Sequence, residues 1–180
     1  MADIRNEWII LDSLAGIILH HRPGCVVEIG VGEGFSTRIL FKHVEEAKVK
    51  FYTCDVNSKI GFDYKDHFHF LGTSFDFIKQ FNDIPSVVFL DGNHDYEVVS
   101  VEVEFFLKSL VEGGIIFLHD TYPRNEKHLD KGRCSDSYKL RQEYEKRRDI
   151  VDCFTWPYTA WNYGLTMIIK KPANRLYFRE

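Results

Sequence analysis

Glu28-x-Gly30-x-Gly32-x-Gly34 follows directly on the short β-branched run Cys25-Val26-Val27-Glu28-Ile29, and glycines spaced in this way let a backbone turn sharply against a bound ligand. A dinucleotide fingerprint would need a further glycine at position 35, where the chain has Phe35, so a pyrophosphate is not the expected guest. Asp55 ends the next strand, where a carboxylate can accept hydrogen bonds from both hydroxyls of a ribose. Asp91, His94, His119 and Asp120 form a second group, placed after two later apolar runs. Histidine titrates close enough to neutrality to take a proton, which makes His94 the first candidate base and His119 the second. Asp91 and Asp120 could together hold a magnesium ion, a cation that prefers oxygen ligands. Turn formation and capping are the plainer uses of Asp91-Gly92-Asn93 and of a histidine at a strand end.

These residues need elements to bring them together. Ile10, Leu14, Ile17 and Ile18 repeat at helical spacing from about Asn6, and Pro23-Gly24 ends that helix. Strands are expected at Cys25–Ile29, Val49–Asp55, Phe68–Leu71, Val87–Leu90 and Ile115–Leu118, alternating with helices at Ser36–Glu46, Ser74–Phe81 and from Tyr96 to Leu110. In the last of these helices Tyr96, Val99, Val103, Phe106, Leu107 and Leu110 mark an inner face, with Glu97, Glu102, Glu104 and Lys108 on the other side. Ser74 is the expected N-cap of its helix. Thr121–Arg133 has no apolar period and reads as a long loop, either functional, as a lid would be, or disordered. A helix over Asp136–Arg148 and strands over Val151–Thr155 and Leu165–Ile169 complete the chain, the two strands forming an antiparallel hairpin. The fold class is α/β: a Rossmann-like, doubly wound, mostly parallel sheet with helices on both faces, in one domain over residues 1–180. The two acidic-residue groups then fall on the carboxyl edge of the sheet, where open α/β folds bind ligands.

Composition narrows the function classes. Hydrophobic residues make up 44% and charged residues 28%, ordinary values for a globular domain. The net charge of -4 offers no field for a phosphate backbone, so no nucleic-acid partner is expected. Lys139, Arg141, Lys146, Arg147 and Arg148 are interrupted by Glu143 and Glu145, as on a solvated helix face. Leu14–Leu19 is too short to span a bilayer, and the four scattered cysteines show no paired spacing, so a cytoplasmic, reduced protein with no membrane partner is expected. Trp156, Tyr158, Trp161 and Tyr163 could line an acceptor pocket, pack as core, or make a homodimer contact.

The sequence resembles the class I S-adenosylmethionine-dependent methyltransferases over nearly its whole length. Val27–Gly34 looks like that superfamily's first motif and Asp55 like its ribose-binding acid. Phe89-Leu90-Asp91-Gly92-Asn93-His94-Asp95-Tyr96 and His119-Asp120-Thr121-Tyr122-Pro123 are similar to the branch holding macrocin O-methyltransferase-like and cephalosporin-hydroxylase-like proteins. The resemblance implies that Gly30, Gly32 and Gly34 line the methionine and ribose end of S-adenosylmethionine, with Glu28 supporting the turn. It places Ser74 near the adenine and counts Asp91 among the cofactor-binding residues. It further implies O-methylation of a small hydroxylated acceptor. Metal-dependent relatives follow the fifth strand with Asp-Asn, Asp-Asp or Glu-Asp, and His119-Asp120-Thr121 departs from that pattern. Two other functions fit the same residues: a non-catalytic adenosyl-ligand-binding module, and a metal-dependent hydroxylase-like enzyme.

Overall fold

In the computed structural model, residues 6–57, 64–157 and 163–172 are described. Seven strands form one sheet: β1 (Cys25–Ile29), β2 (Phe51–Asp55), β3 (His67–Leu71), β4 (Pro85–Leu90), β5 (Ile115–His119), β6 (Val151–Trp156) and β7 (Leu165–Lys170). Their order across the sheet is β3-β2-β1-β4-β5-β7-β6. The first five strands are parallel, while β7 runs antiparallel to both β5 and β6. The expected terminal hairpin is present, with β7 inserted beside β5 and β6 at the edge.

The helices are α1 (Asn6–His21), α2 (Phe35–Ala47), α3 (Ser74–Ile78), α4 (Tyr96–Ser109) and α5 (Ser137–Tyr144). Alternate strand residues divide the core. Val26, Phe51, Val87, Phe89, Ile115 and Phe117 pack against α1 and α2, while Val27, Ile29, Cys54, Val88, Leu90 and Ile116 pack against α3, α4 and α5. The β1 and β4 strands are buried throughout, as a parallel sheet covered on both faces requires. Because the chain leaves β1 for β2 on one side and returns through β4 on the other, a crevice opens above the carboxyl ends of β1 and β4.

Several sequence expectations shift. In α1 the buried stripe is Leu11, Ala15 and Leu19, while Ile17 is 53% exposed. Apolar spacing allowed either neighbouring stripe, and packing on the sheet selects this one. On α4 the expected solvent-side Glu102 is buried, only 1% exposed. The helix expected over Asp136–Arg148 ends at Tyr144, and Glu126–Leu129 in the long loop forms a 3-10 turn. Tyr158 and Trp161 of the aromatic segment, and the tail from residue 173, lie outside the described residues. No helix among the described residues is long and apolar enough to cross a membrane.

Candidate active site

The glycine turn is built against the strand ends. Gly30 has φ 86°, and a Cβ there would lie 2.2 Å from the Asp91 carbonyl oxygen and 2.6 Å from the Gly92 nitrogen. Only glycine fits between these backbones. Gly32 has φ 50°, but a Cβ on it would meet nothing within 4 Å, because it faces the open crevice. The turn is fastened by Asp55: its Oδ2 accepts from the amides of Val31 (2.8 Å) and Gly32 (3.1 Å), and its Oδ1 accepts from Asn57 (2.7 Å). The turn and the strand-end acid thus form one unit, which the sequence paired only by position. Gly34 is the N-cap of α2.

Glu28 lies beneath the turn, fully buried. Ser36 donates its hydroxyl to Oε1 at 2.5 Å, whereas Oε2 has no partner among the described residues. Burial pushes the carboxyl up to about 8, against the opposing influence of Ser36 and Thr37. A carboxyl raised in the folded state stabilises the fold fully below its unfolded pKa, and that contribution is lost as pH rises through the folded value. Between about pH 4.5 and pH 8, the melting temperature of the wild type should therefore fall with rising pH. Glu28→Gln should flatten this slope in thermal melts, and an unchanged slope would show that Glu28 does not titrate there.

Asp91, at the end of β4, and His119-Asp120, at the end of β5, converge across the neighbouring strands. His119 Nδ1 lies 3.0 Å from Asp91 Oδ1 and 3.2 Å from Asp120 Oδ1. The histidine is buried, and the Trp8 indole stacks on it at 5.5 Å between centroids and 7° between planes. Burial alone would discharge the ring, but Asp91, Asp120 and the buried Glu7 outweigh it and hold the imidazolium up to about 9. The two carboxylates thus favour the charged form of His119, and its buried ring is held between them.

His94 approaches the same Asp91 oxygen, its Nε2 3.7 Å from Oδ1. Asp120 adopts φ 54°, unusual for a residue other than glycine, and is held there from two sides. Tyr163 donates its amide to the carboxylate at 3.1 Å, and Ser137 donates its hydroxyl to the backbone carbonyl at 2.9 Å. Asp91, His94 and Asp120 can each offer one donor atom, all within 4.8 Å of one another.

Gly30, Gly32, Asp55, Ser74, Asp91 and His94 all line a single cleft of about 580 Å³, which Glu102 and Lys131 also border. The sequence assigned no site role to Glu7, Trp8 or Glu102. Glu7 could have been suspected, since it lies four residues before Leu11 on the stripe that proves to be buried. The expected cap Ser74 is corrected: Thr73 caps α3, accepting the Asp76 amide, which leaves Ser74 to face the cleft.

The family profile described as a methyltransferase domain matches residues 27–121, more than half of the chain. No curated protein matches the sequence. Among solved structures, cofactor-bound Rv0187 from MTB superposes with a TM-score of 0.70 at 16% identity, over 92% of this chain and 79% of that one. An O-methyltransferase from Bacillus cereus, in complex with SAH, gives 0.69 at 14% identity, over 92% and 80%. The MycE methyltransferase of the mycinamycin pathway, in complex with Mg and SAH, gives 0.65 at 16%, over 93% of this chain but 49% of that one. At these identities the likeness shows a shared fold, while the matched profile, spanning β1 to the end of β5, establishes kinship: the chain belongs to the methyltransferase-domain family.

Proposed function

We propose that the protein transfers a methyl group from S-adenosylmethionine to a hydroxyl of a small-molecule acceptor. The observation that carries this reading is the single cleft lined by the glycine turn, Asp55, Asp91 and His94 together. The cofactor brings an activated methyl group, so the chain's task is alignment of the acceptor oxygen and removal of its proton. In this reading Gly30, Gly32 and Gly34 border the methionine and ribose end, Glu28 braces the turn, Asp55 takes the ribose hydroxyls, and Ser74 lies near the adenine. Asp91 stands where the cofactor ends and the acceptor begins.

His94 is the assigned base. Its imidazole borders the cleft, 3.7 Å from Asp91, whereas His119 is buried against both Asp91 and Asp120 and does not line it. Asp120 and His119 hold Asp91 in place behind it. A divalent cation also fits the donor set of Asp91, His94 and Asp120. Two carboxylates suit magnesium, and the imidazole suits a softer metal equally well. Asp91 and Asp120 would hold it, and it would lower the pKa of an acceptor hydroxyl. The MycE neighbour, solved with Mg and SAH, is in keeping with that arrangement.

Calorimetric titration with S-adenosylmethionine and S-adenosylhomocysteine tests the cofactor assignment, and a labelled methyl group offered with a panel of hydroxylated acceptors tests the transfer. Absence of binding for both cofactor forms would sink the reading. Asp55→Ala should weaken S-adenosylhomocysteine by on the order of 1–3 kcal/mol, since hydrogen bonds to a charged acceptor are lost and the turn amides lose their anchor. Unchanged affinity would remove Asp55 from the ribose site.

A further inference from the structure

Trp8 has no part in the scheme above, yet its side chain reaches the strand-end group. It stands on α1 one turn before Leu11, so the stripe of Leu11, Ala15 and Leu19 that seats the helix on the sheet also turns Trp8 inward. There its indole lies against the flat face of the His119 imidazole, 5.5 Å between centroids and 7° between planes. Phe89 of β4 completes the cluster, tilted against the indole at 6.2 Å and against the imidazole at 6.0 Å. Separations in this range are the favourable ones for aromatic rings.

His119 turns a single nitrogen to two carboxylates. Nδ1 lies 3.0 Å from Asp91 Oδ1 and 3.2 Å from Asp120 Oδ1, and carboxylates only accept, so this nitrogen carries the hydrogen between them. Both distances hold for one setting of the imidazole plane. The last torsion of a histidine side chain is soft, with broad wells, so β5 and the side chain's own preferences leave that plane loosely set. A flat ring stacked on the imidazole sets it, because rotation would drive the edge of one ring into the face of the other.

We propose that Trp8 is a positioning residue for the strand-end group: its indole fixes the plane of His119, and His119 Nδ1 thereby fixes how far apart Asp91 and Asp120 stand. The consequence for turnover rests on the methyl-transfer reading above, since Asp91 borders the cleft beside His94. The glycine turn is fastened separately, by Asp55, so cofactor affinity does not depend on the clamp. A helix that supplies nothing to the cleft itself thus takes part in aligning the acceptor.

Two variants of the full chain test it. Trp8→Leu keeps an apolar side chain without a flat face, and Trp8→Phe keeps the flat face; Trp8→Met replaces the first should it not fold. Side-chain 1H–15N NMR should show a protected His119 Nδ1–H resonance in the wild type, identified by its loss in His119→Asn. Trp8→Leu should lose that resonance and lower kcat, measured with the labelled methyl group and the acceptor panel, by about 10- to 100-fold, the scale of a small misplacement at a reacting centre. Acceptor KM and S-adenosylhomocysteine affinity should stay within a few-fold. Trp8→Phe should keep both the resonance and kcat. A Leu variant that melts lower but retains the wild-type resonance and kcat would overturn the proposal and leave Trp8 as packing. A wild type without the protected resonance would overturn it directly. A wild type that transfers no methyl group would sink the methyl-transfer reading, while the resonance in the two variants would still decide whether Trp8 clamps His119.

Discussion

Gly32→Val is expected to fold and to lose S-adenosylhomocysteine binding, whereas Gly30→Ala, the smaller substitution, is expected to lose the fold. The two glycines are two residues apart and both have positive φ, 50° at Gly32 and 86° at Gly30. Their surroundings differ. A Cβ at Gly30 would sit 2.2 Å from a backbone carbonyl oxygen of the β4 loop, and backbone cannot swing aside as a flexible side-chain end can. Separating the two loops would also disturb the hydrogen bonds from the Gly30 amide to Cys54 and from the Asp91 amide to Ile29, each 2.8 Å long. A loss of about 4 kcal/mol or more is expected, a large share of the roughly 5–15 kcal/mol that holds a typical domain together. Urea unfolding measures it, and a loss below 1 kcal/mol would mean the loops part easily. At Gly32 the added branches enter empty cleft, so the structural cost is the left-handed backbone, about 1–2 kcal/mol. Circular dichroism should show native content, and the ligand-induced thermal shift should vanish. A retained shift would make the turn merely structural.

Asp120→Asn and His94→Ala should each lower methyl transfer by about 100-fold or more while leaving S-adenosylhomocysteine affinity within a few-fold. Asparagine tolerates the left-handed backbone of Asp120 and keeps an oxygen for the Tyr163 amide, so the local fold should survive. What it loses is charge, both toward His119 at 3.2 Å and toward any cation. If a metal takes part, a chelator should reproduce the Asp120 defect in the wild type and added magnesium should reverse it. Chelator-insensitive turnover would leave His94 as a metal-free base. Full turnover in both variants, once an acceptor is found, would return Asp91-Gly92-Asn93-His94 and His119-Asp120 to turn and packing roles.

The glycine turn, Asp55 and the strand-end group of Asp91, His94, His119 and Asp120 were legible because each is announced by local grammar. An apolar β-branched run, then glycine or a carboxylate, places a residue at the carboxyl end of a strand, and the alternation of strands with helices brings those ends to one edge. The parallel order and the terminal hairpin follow from the same local signals. Charge state and depth do not. His119 read as a second candidate base, and only the fold shows that its ring is buried among Asp91, Asp120 and Glu7, which favour its charged form. Glu102 looked like one of several surface acids on α4, and only the packing of α3 and α4 beside β2 turned it inward. In α1, apolar residues on adjacent stripes left the buried face open until the sheet chose Leu11, Ala15 and Leu19, carrying Glu7 and Trp8 to His119. The sequence by itself therefore determined the succession of elements and the residues at their ends, since these depend on neighbours along the chain. The tertiary structure decided which polar groups are buried and what charge they carry, because solvation and Coulomb interaction act through space between residues as far apart as Glu7 and His119.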